Sequence, residues 1–270
     1  MHIPACETTE LELIRFDRAL EEADRPSPDY DAERWLYVPN IYSEYRYILG
    51  TRGEHPLICI GINPSTAAPD NLDNTLKSVE RIALYNGFDS FLMFNVYAQR
   101  ATNPDDMELT YNAQLHQENL KAFDYALSLD RGGAPAIWAA WGTIIEKRPY
   151  LPQCVQDMIQ VGSARNAVWY SAGKRSKKGH PHHPLYLRRD SALEPFDAQS
   201  YITQLLSDQS YPDRSAVRPC SGRGASHRQR SGAGCLLRHR HHRSVRRFRR
   251  SRSSHRCGAY PLRRAGRRRQ

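Results

Sequence analysis

No Cys-x-x-Cys pair occurs in this 270-residue chain, although it holds six cysteines: Cys6, Cys59, Cys154, Cys220, Cys235 and Cys257. That spacing excludes the usual zinc and iron–sulfur ligand sets and offers no disulfide framework, so a reducing compartment is expected. No stretch approaches about 18 consecutive apolar residues, so no membrane-spanning segment or membrane partner is expected. The opening MHIPACETTELELIRF is acidic and carries no basic, apolar export signal, which points to a cytoplasmic protein. Neither the G-x-x-x-x-G-K-S/T loop of nucleoside triphosphatases nor the G-x-G-x-x-G fingerprint of dinucleotide binding is present, and no cofactor is expected. His180, His182 and His183 lie close together, but no acidic or cysteine partner has ligand spacing, so no metal is expected either.

A second absence divides the chain. Between Arg214 and Gln270 there is no Lys, Asp or Glu but there are 19 Arg, which leaves 20 basic groups against 29 acidic ones in residues 1–213. The net charge of +10 therefore belongs to the tail, and the body is acidic. A tail of Arg, Ser, Gly, His, Cys and Pro cannot bury enough apolar surface to offset chain entropy, so residues 207–270 read as disordered. Two readings of it stand. Clustered guanidiniums bind phosphate backbones without sequence preference, while Arg without Lys also matches an out-of-frame stretch of GC-rich coding sequence. Composition favours the second.

Within the body, apolar runs alternate with helical patterns. Residues 1–41 read as an N-terminal helical appendage, with Thr8 and Thr9 as caps and the helix ending before Pro26, followed by a linker. Tyr45–Leu49 reads as a strand joined by a hairpin at Gly50–Gly53 to the apolar run Leu57–Ile60. Further apolar runs fall at Phe91–Phe94, Ala136–Trp141 and Ala167–Tyr170. Helices are expected between them: one capped by Asp73 or Asn74 and stopped by Gly87, one over about 112–129, and one carrying Val155, Met158 and Ile159. This alternation predicts an α/β domain over residues 42–206 with a mostly parallel central sheet covered on both faces. Ligands then bind beyond the carboxyl ends of the strands.

Four polar loops follow those strands and should gather at one edge. The first is Gly61-Ile62-Asn63-Pro64-Ser65-Thr66, where Gly61 permits close backbone approach and Pro64 holds Asn63 extended. The others begin at Asn95, at Trp141-Gly142 and at His183-Pro184, and Arg100 lies in the Asn95 loop. Lys174, Arg175, Lys177 and Lys178 precede His183 and supply cations suited to a nucleic-acid backbone.

In the order and spacing of Gly61–Ala67, Asn95–Thr102 with Asn103-Pro104, Ala140-Trp141-Gly142 and His183–Leu187, the chain resembles the domain-of-unknown-function family 1643. That family has no established activity. The order Asn63-Pro64, Asn95, Trp141-Gly142, His183-Pro184 also looks like that of the uracil-DNA glycosylase superfamily. This second resemblance implies a three-layer α/β/α fold. It further implies Asn63 as the residue that positions a hydrolytic water, Asn95 as the amide that reads an extruded base, and His183 as the group facing a base carbonyl.

The departures are that Leu185 follows Pro184 where the superfamily has Ser, and that Asn63 is an amide, which orients water but takes no proton. The expectation is binding of a nucleobase or nucleotide in single-stranded or damaged nucleic acid, with excision of the base by Asn63 and His183. Gly61, Pro64, Ser65, Thr66, Asn95, Arg100, Trp141 and Tyr186 are expected to contact the substrate. The competing expectation is a non-catalytic module, or an enzyme acting on a free nucleobase-like or phosphate-bearing small molecule.

Overall fold

Each of the apolar runs becomes a strand at the centre of one sheet. The computed structural model describes residues 1–210, with seven strands and five helices among them. The strands are β1 (Trp35–Val38), β2 (Ile48–Thr51), β3 (Pro56–Gly61), β4 (Ser90–Asn95), β5 (Ala136–Ala139), β6 (Val168–Ala172) and β7 (Leu193–Pro195). Their order is β1-β2-β4-β3-β5-β6-β7. β4, β3, β5 and β6 run parallel to one another, with Cys59 opposite Met93 on one side and Trp138 on the other. β1, β2 and β7 pair antiparallel at the two edges.

The expectation of a mostly parallel sheet is thus corrected to a mixed one. Parallel pairing needs a covering crossover helix, and the edges are built without one. The expected hairpin is corrected too: β2 pairs with β1 and β4, not with β3. Gly50, read as a turn former, lies inside β2, where a Cβ would sit 2.0 Å from the Phe91 carbonyl oxygen. It is there for the close approach of two backbones.

The helices are α1 (Phe16–Ala23), α2 (Asn74–Tyr85), α3 (Ala113–Leu127), α4 (Leu151–Ala164) and α5 (Ala198–Ser210). Alternation along β3 sends Ile58 and Ile60 into one core with residues of α1, α3, α4 and α5, and Leu57 and Cys59 into a second with residues of α2. Helices therefore lie on both faces of the sheet. Asp73 caps α2, accepting from the Leu76 amide at 2.9 Å, and Asn112 does the same for α3 through Leu115.

The N-terminal helix is displaced from its expected position. Thr8–Glu10 is a single 3-10 turn, and helix begins only at Phe16. Thr8 does not cap because its amide and hydroxyl are both given to the buried Glu108 carboxylate, at 2.8 and 2.7 Å. The first helical amide, that of Phe16, is satisfied instead by Glu118 at 2.7 Å. Residues 35–38, placed by sequence in the appendage, form the outermost strand of the sheet, so the boundary drawn at residue 41 falls between two paired strands. α5 extends to Ser210, beyond the boundary drawn at 206, and the arginine-rich stretch lies outside the described residues. Among the described residues no helix is long and apolar enough to cross a membrane.

Candidate functional site

Beyond the carboxyl ends of the parallel strands, the loops following β3 and β4 run side by side. Val96 donates to the Gly61 carbonyl at 2.8 Å, Tyr97 to Ile62 at 2.9 Å and Ala101 to Pro64 at 2.9 Å. Asn63 completes this seam, its Nδ2 donating to the carbonyls of Ala101 (2.7 Å) and Pro64 (3.1 Å). Because both partners are carbonyls, the amide orientation is fixed, and Oδ1 is the end left for a ligand or a water. Ser65 Oγ donates to Thr102 Oγ1 at 3.2 Å.

These loops, the segment after β5, the His183 turn and the start of α2 enclose a cavity of about 670 Å³. Gly61, Asn63, Pro64, Ser65, Asn95, Trp141, His183 and Tyr186 all line it. The structure thus brings together eight of the residues singled out from sequence. Thr66 does not line the cavity.

Arg100 does not reach it as a mouth cation. It is fully buried, donating to the carbonyls of Ser65 and Ala67 and to the Tyr37 hydroxyl (3.0 Å), with its guanidinium 4.4 Å from the Tyr42 ring centroid. Backbone carbonyls drawn into the interior need a donor, and Arg100 is that donor for Ser65 and Ala67.

Trp141 borders the cavity with no exposed surface. Its indole donates to the Tyr201 hydroxyl at 3.1 Å and packs edge-on against Trp169 and Phe196. The exposed aromatic is Tyr186, 75% accessible, at the rim beside His183.

None of Lys174, Arg175, Lys177 and Lys178 lines this cavity. They are exposed on the loop after β6, where Lys178 pairs with Glu146 at 2.8 Å and Arg175 lies 5.2 Å from the Phe196 ring centroid. Arg175 and Lys178 instead border a second cavity, of about 590 Å³, beside α5.

His183 heads the turn Pro184–Tyr186, and its Nδ1 accepts from the Leu185 amide at 3.3 Å. In the neutral ring the proton therefore sits on Nε2, which is free to donate. Burial lowers the pKa of the imidazole; Asp73 opposes this and His182 adds to it. Gly142, at φ +64°, backs the ring, for a Cβ there would stand 3.6 Å from that of His183.

Two lining residues went unrecognised in the sequence as part of the site. Asp73 borders the cavity while capping α2, and one of its oxygens has no hydrogen-bond partner among the described residues. The signal was available: a helix that follows a parallel strand begins at the ligand edge. Arg46 is the other. It is 1% exposed, donates to the Ala67 carbonyl (3.2 Å) and to Asn95 Oδ1 (3.4 Å), and makes no ion pair among the described residues. Burial and the neighbouring Arg100 pull its pKa down to about 9, with Tyr37 and Asp73 acting against them. The alternation of Tyr45, Arg46 and Tyr47 made it look like one face of a strand.

A family model described as protein of unknown function (DUF1643) matches residues 46–185, which contain the strands β3 to β6 and nearly all of the cavity wall. The chain belongs to that family. No curated protein and no solved structure matches it. In this DUF1643 chain the matched span begins at Arg46 and ends at Leu185, so both the buried cation and the imidazole fall inside it.

Proposed function

We propose that the cavity binds a sugar-borne nucleobase, in a nucleotide or in single-stranded or damaged nucleic acid, and that it hydrolyses the N-glycosidic bond. The observation that carries this reading is the meeting of Asn63, Asn95, His183 and Asp73 around one cavity at the carboxyl edge of the parallel strands. Helices on both faces and the order of these loops accord with the three-layer arrangement of the uracil-DNA glycosylase superfamily, which we take as the fold relationship.

The chemistry follows from the free ends of the side chains. Asn63 Oδ1 holds a water, and the second oxygen of Asp73 takes its proton as the water oxygen bonds to the anomeric carbon. The carbon–nitrogen bond breaks, and the departing base gathers negative charge on a carbonyl oxygen. His183, neutral, donates from Nε2 to that oxygen, where a donor aimed at developing charge has its largest effect. The proton ends on the base nitrogen, so water is divided between sugar and base. Asn95 Nδ2, which has no partner among the described residues, donates to an acceptor of the ligand. Extruding a base is cheapest from an unpaired or damaged site.

The test is incubation of the full chain with single-stranded oligonucleotides carrying uracil, hypoxanthine or an alkylated base, followed by cleavage of abasic sites. The expected result is release that falls at least about a hundredfold in His183→Ala and in Asp73→Asn. Binding without release in any substrate supports the alternative of a non-catalytic module.

A further inference from the structure

Of the eight buried side-chain atoms without a hydrogen-bond partner among the described residues, two belong to residues that line the Asn63 cavity, Arg46 and Asn95. Asn95 is 1% exposed and its Nδ2 has no hydrogen-bond partner. Arg46, equally buried, has an unpartnered Nε, and neither it nor the adjacent Arg100 makes an ion pair among the described residues. Both guanidiniums lean on the single carbonyl of Ala67. A buried cation without a counter-charge is costly, and a buried donor left unpaired costs about 1–3 kcal/mol. Such groups persist where something else completes them.

The same wall carries a third source of positive potential. Asn74 and Thr75, the first residues of the twelve-residue α2, line the cavity, and helix geometry leaves their amide hydrogens without carbonyl partners. The groups of opposite character are Asp73, which makes no ion pair with Arg46, and Asn63 Oδ1. Beside Asn95 the wall is kept clear by Gly61, where a Cβ would lie 3.2 Å from Asn95 Nδ2 and 2.6 Å from the methyl of Met93.

We infer that the floor of the cavity, between Arg46 and Asn95, binds a negatively charged oxygen group of the ligand, a phosphate or a carboxylate, and that the base points toward the rim. This rests on the same cavity being the ligand site, and it narrows the ligand to one that carries an anionic oxygen group beside its base. An inserted oxyanion accepts from the guanidinium and from Asn95 Nδ2 and supplies a directly paired counter-charge, where Asp73 acts on Arg46 without an ion pair. His183 and the exposed Tyr186, which also line the cavity, are left for the uncharged part.

Thermal unfolding of the full chain at fixed ionic strength, with sodium phosphate and separately with the neutral nucleoside deoxyuridine, tests this. Phosphate is expected to raise Tm saturably. In Asn95→Asp the new carboxylate pairs with Arg46, so Tm without phosphate is expected to rise and apparent phosphate affinity to fall about tenfold or more. The tail arginines give the same non-specific response in both chains, so an equal phosphate effect in wild type and Asn95→Asp overturns the inference. Stabilisation by deoxyuridine alone also overturns it and leaves the base-binding reading standing. No stabilisation by either probe, with base release still present in the oligonucleotide assay, places the base at the floor and overturns the anion site only.

Discussion

Two polar clusters border the two cavities, and they are built from similar residues to opposite ends. Beside α5, His180 is 2% exposed and fully engaged, its Nδ1 2.8 Å from the Tyr201 hydroxyl and its Nε2 2.8 Å from Glu146. Tyr201 in turn accepts from Trp141, and Glu146 takes Lys178 from outside. Since a carboxylate only accepts, Nε2 carries a proton toward Glu146, and in the neutral ring Nδ1 accepts from Tyr201. Every polar tip in this chain of contacts has a partner within the protein. Around the Asn63 cavity the amide of Asn95, the guanidinium of Arg46 and the imidazole of His183 each keep a donor unused among the described residues. The first set of polar groups is completed by the fold and the second leaves donors for a ligand, and residue type alone does not separate the two cases.

Breaking the partnered cluster is expected to cost stability and spare binding. His180→Ala removes buried volume and one partner each of Tyr201 and Glu146, so a loss of about 2–4 kcal/mol in denaturant unfolding is expected, with the phosphate response unchanged. A variant of normal stability, or one that also loses the phosphate response, would show that the two clusters are not separate in role.

A smaller effect comes from acid. Burial lowers the pKa values of His183 and His116 from the ordinary 6.5, although Asp73 and Asp157 pull the other way. Both rings are then neutral in the fold, and unfolding takes up protons between the lowered values and 6.5. Their contribution is present above pH 6.5 and is lost as pH falls through the folded values. Tm is therefore expected to drop over that range, and His183→Gln to flatten part of the drop. Glu146, held low chiefly by its bond to Lys178, acts only at more acidic pH. An identical slope in His183→Gln would mean that the ring is already solvated.

Smallest is Lys178→Ala. Lys178 is 70% exposed, and removing its contact with Glu146 should change stability by under about 1 kcal/mol. It should leave ligand response untouched, because this loop does not line the Asn63 cavity. A clear loss of oligonucleotide binding in this variant would instead restore the loop as a backbone contact.

What could be read from the chain follows a physical divide. The strands β3 to β6 are continuous apolar runs because both of their faces are covered, and such runs are visible without any partner in view. The gathering of Asn63, Asn95 and His183 followed from strand direction alone. Edge strands were less visible. Trp35–Val38 pairs with β2 and is buried on both faces, Leu36 and Val38 in the core that holds α1 and Trp35 and Tyr37 in the one that holds α2, which adjacency in sequence does not announce. Gly50 carried two meanings, turn or close approach, and only the neighbour at Leu92 decides between them. Arg100 and Arg46 show the same limit for charge. A guanidinium reads as surface cation until the carbonyls and hydroxyl that accept from it are located, and those come from segments far along the chain.

The Tyr37 hydroxyl on β1 accepts from Arg100, Arg100 holds the Ala67 carbonyl, and Arg46 holds it too. The outermost strand is thereby tied to the innermost wall of the cavity. Trimming the protein to begin at residue 42, where composition invites the cut, would take away more than a peripheral segment: it would remove a brace of the Arg100 guanidinium that shares the Ala67 carbonyl with Arg46, so truncated material is a poor surrogate for measuring what the cavity holds.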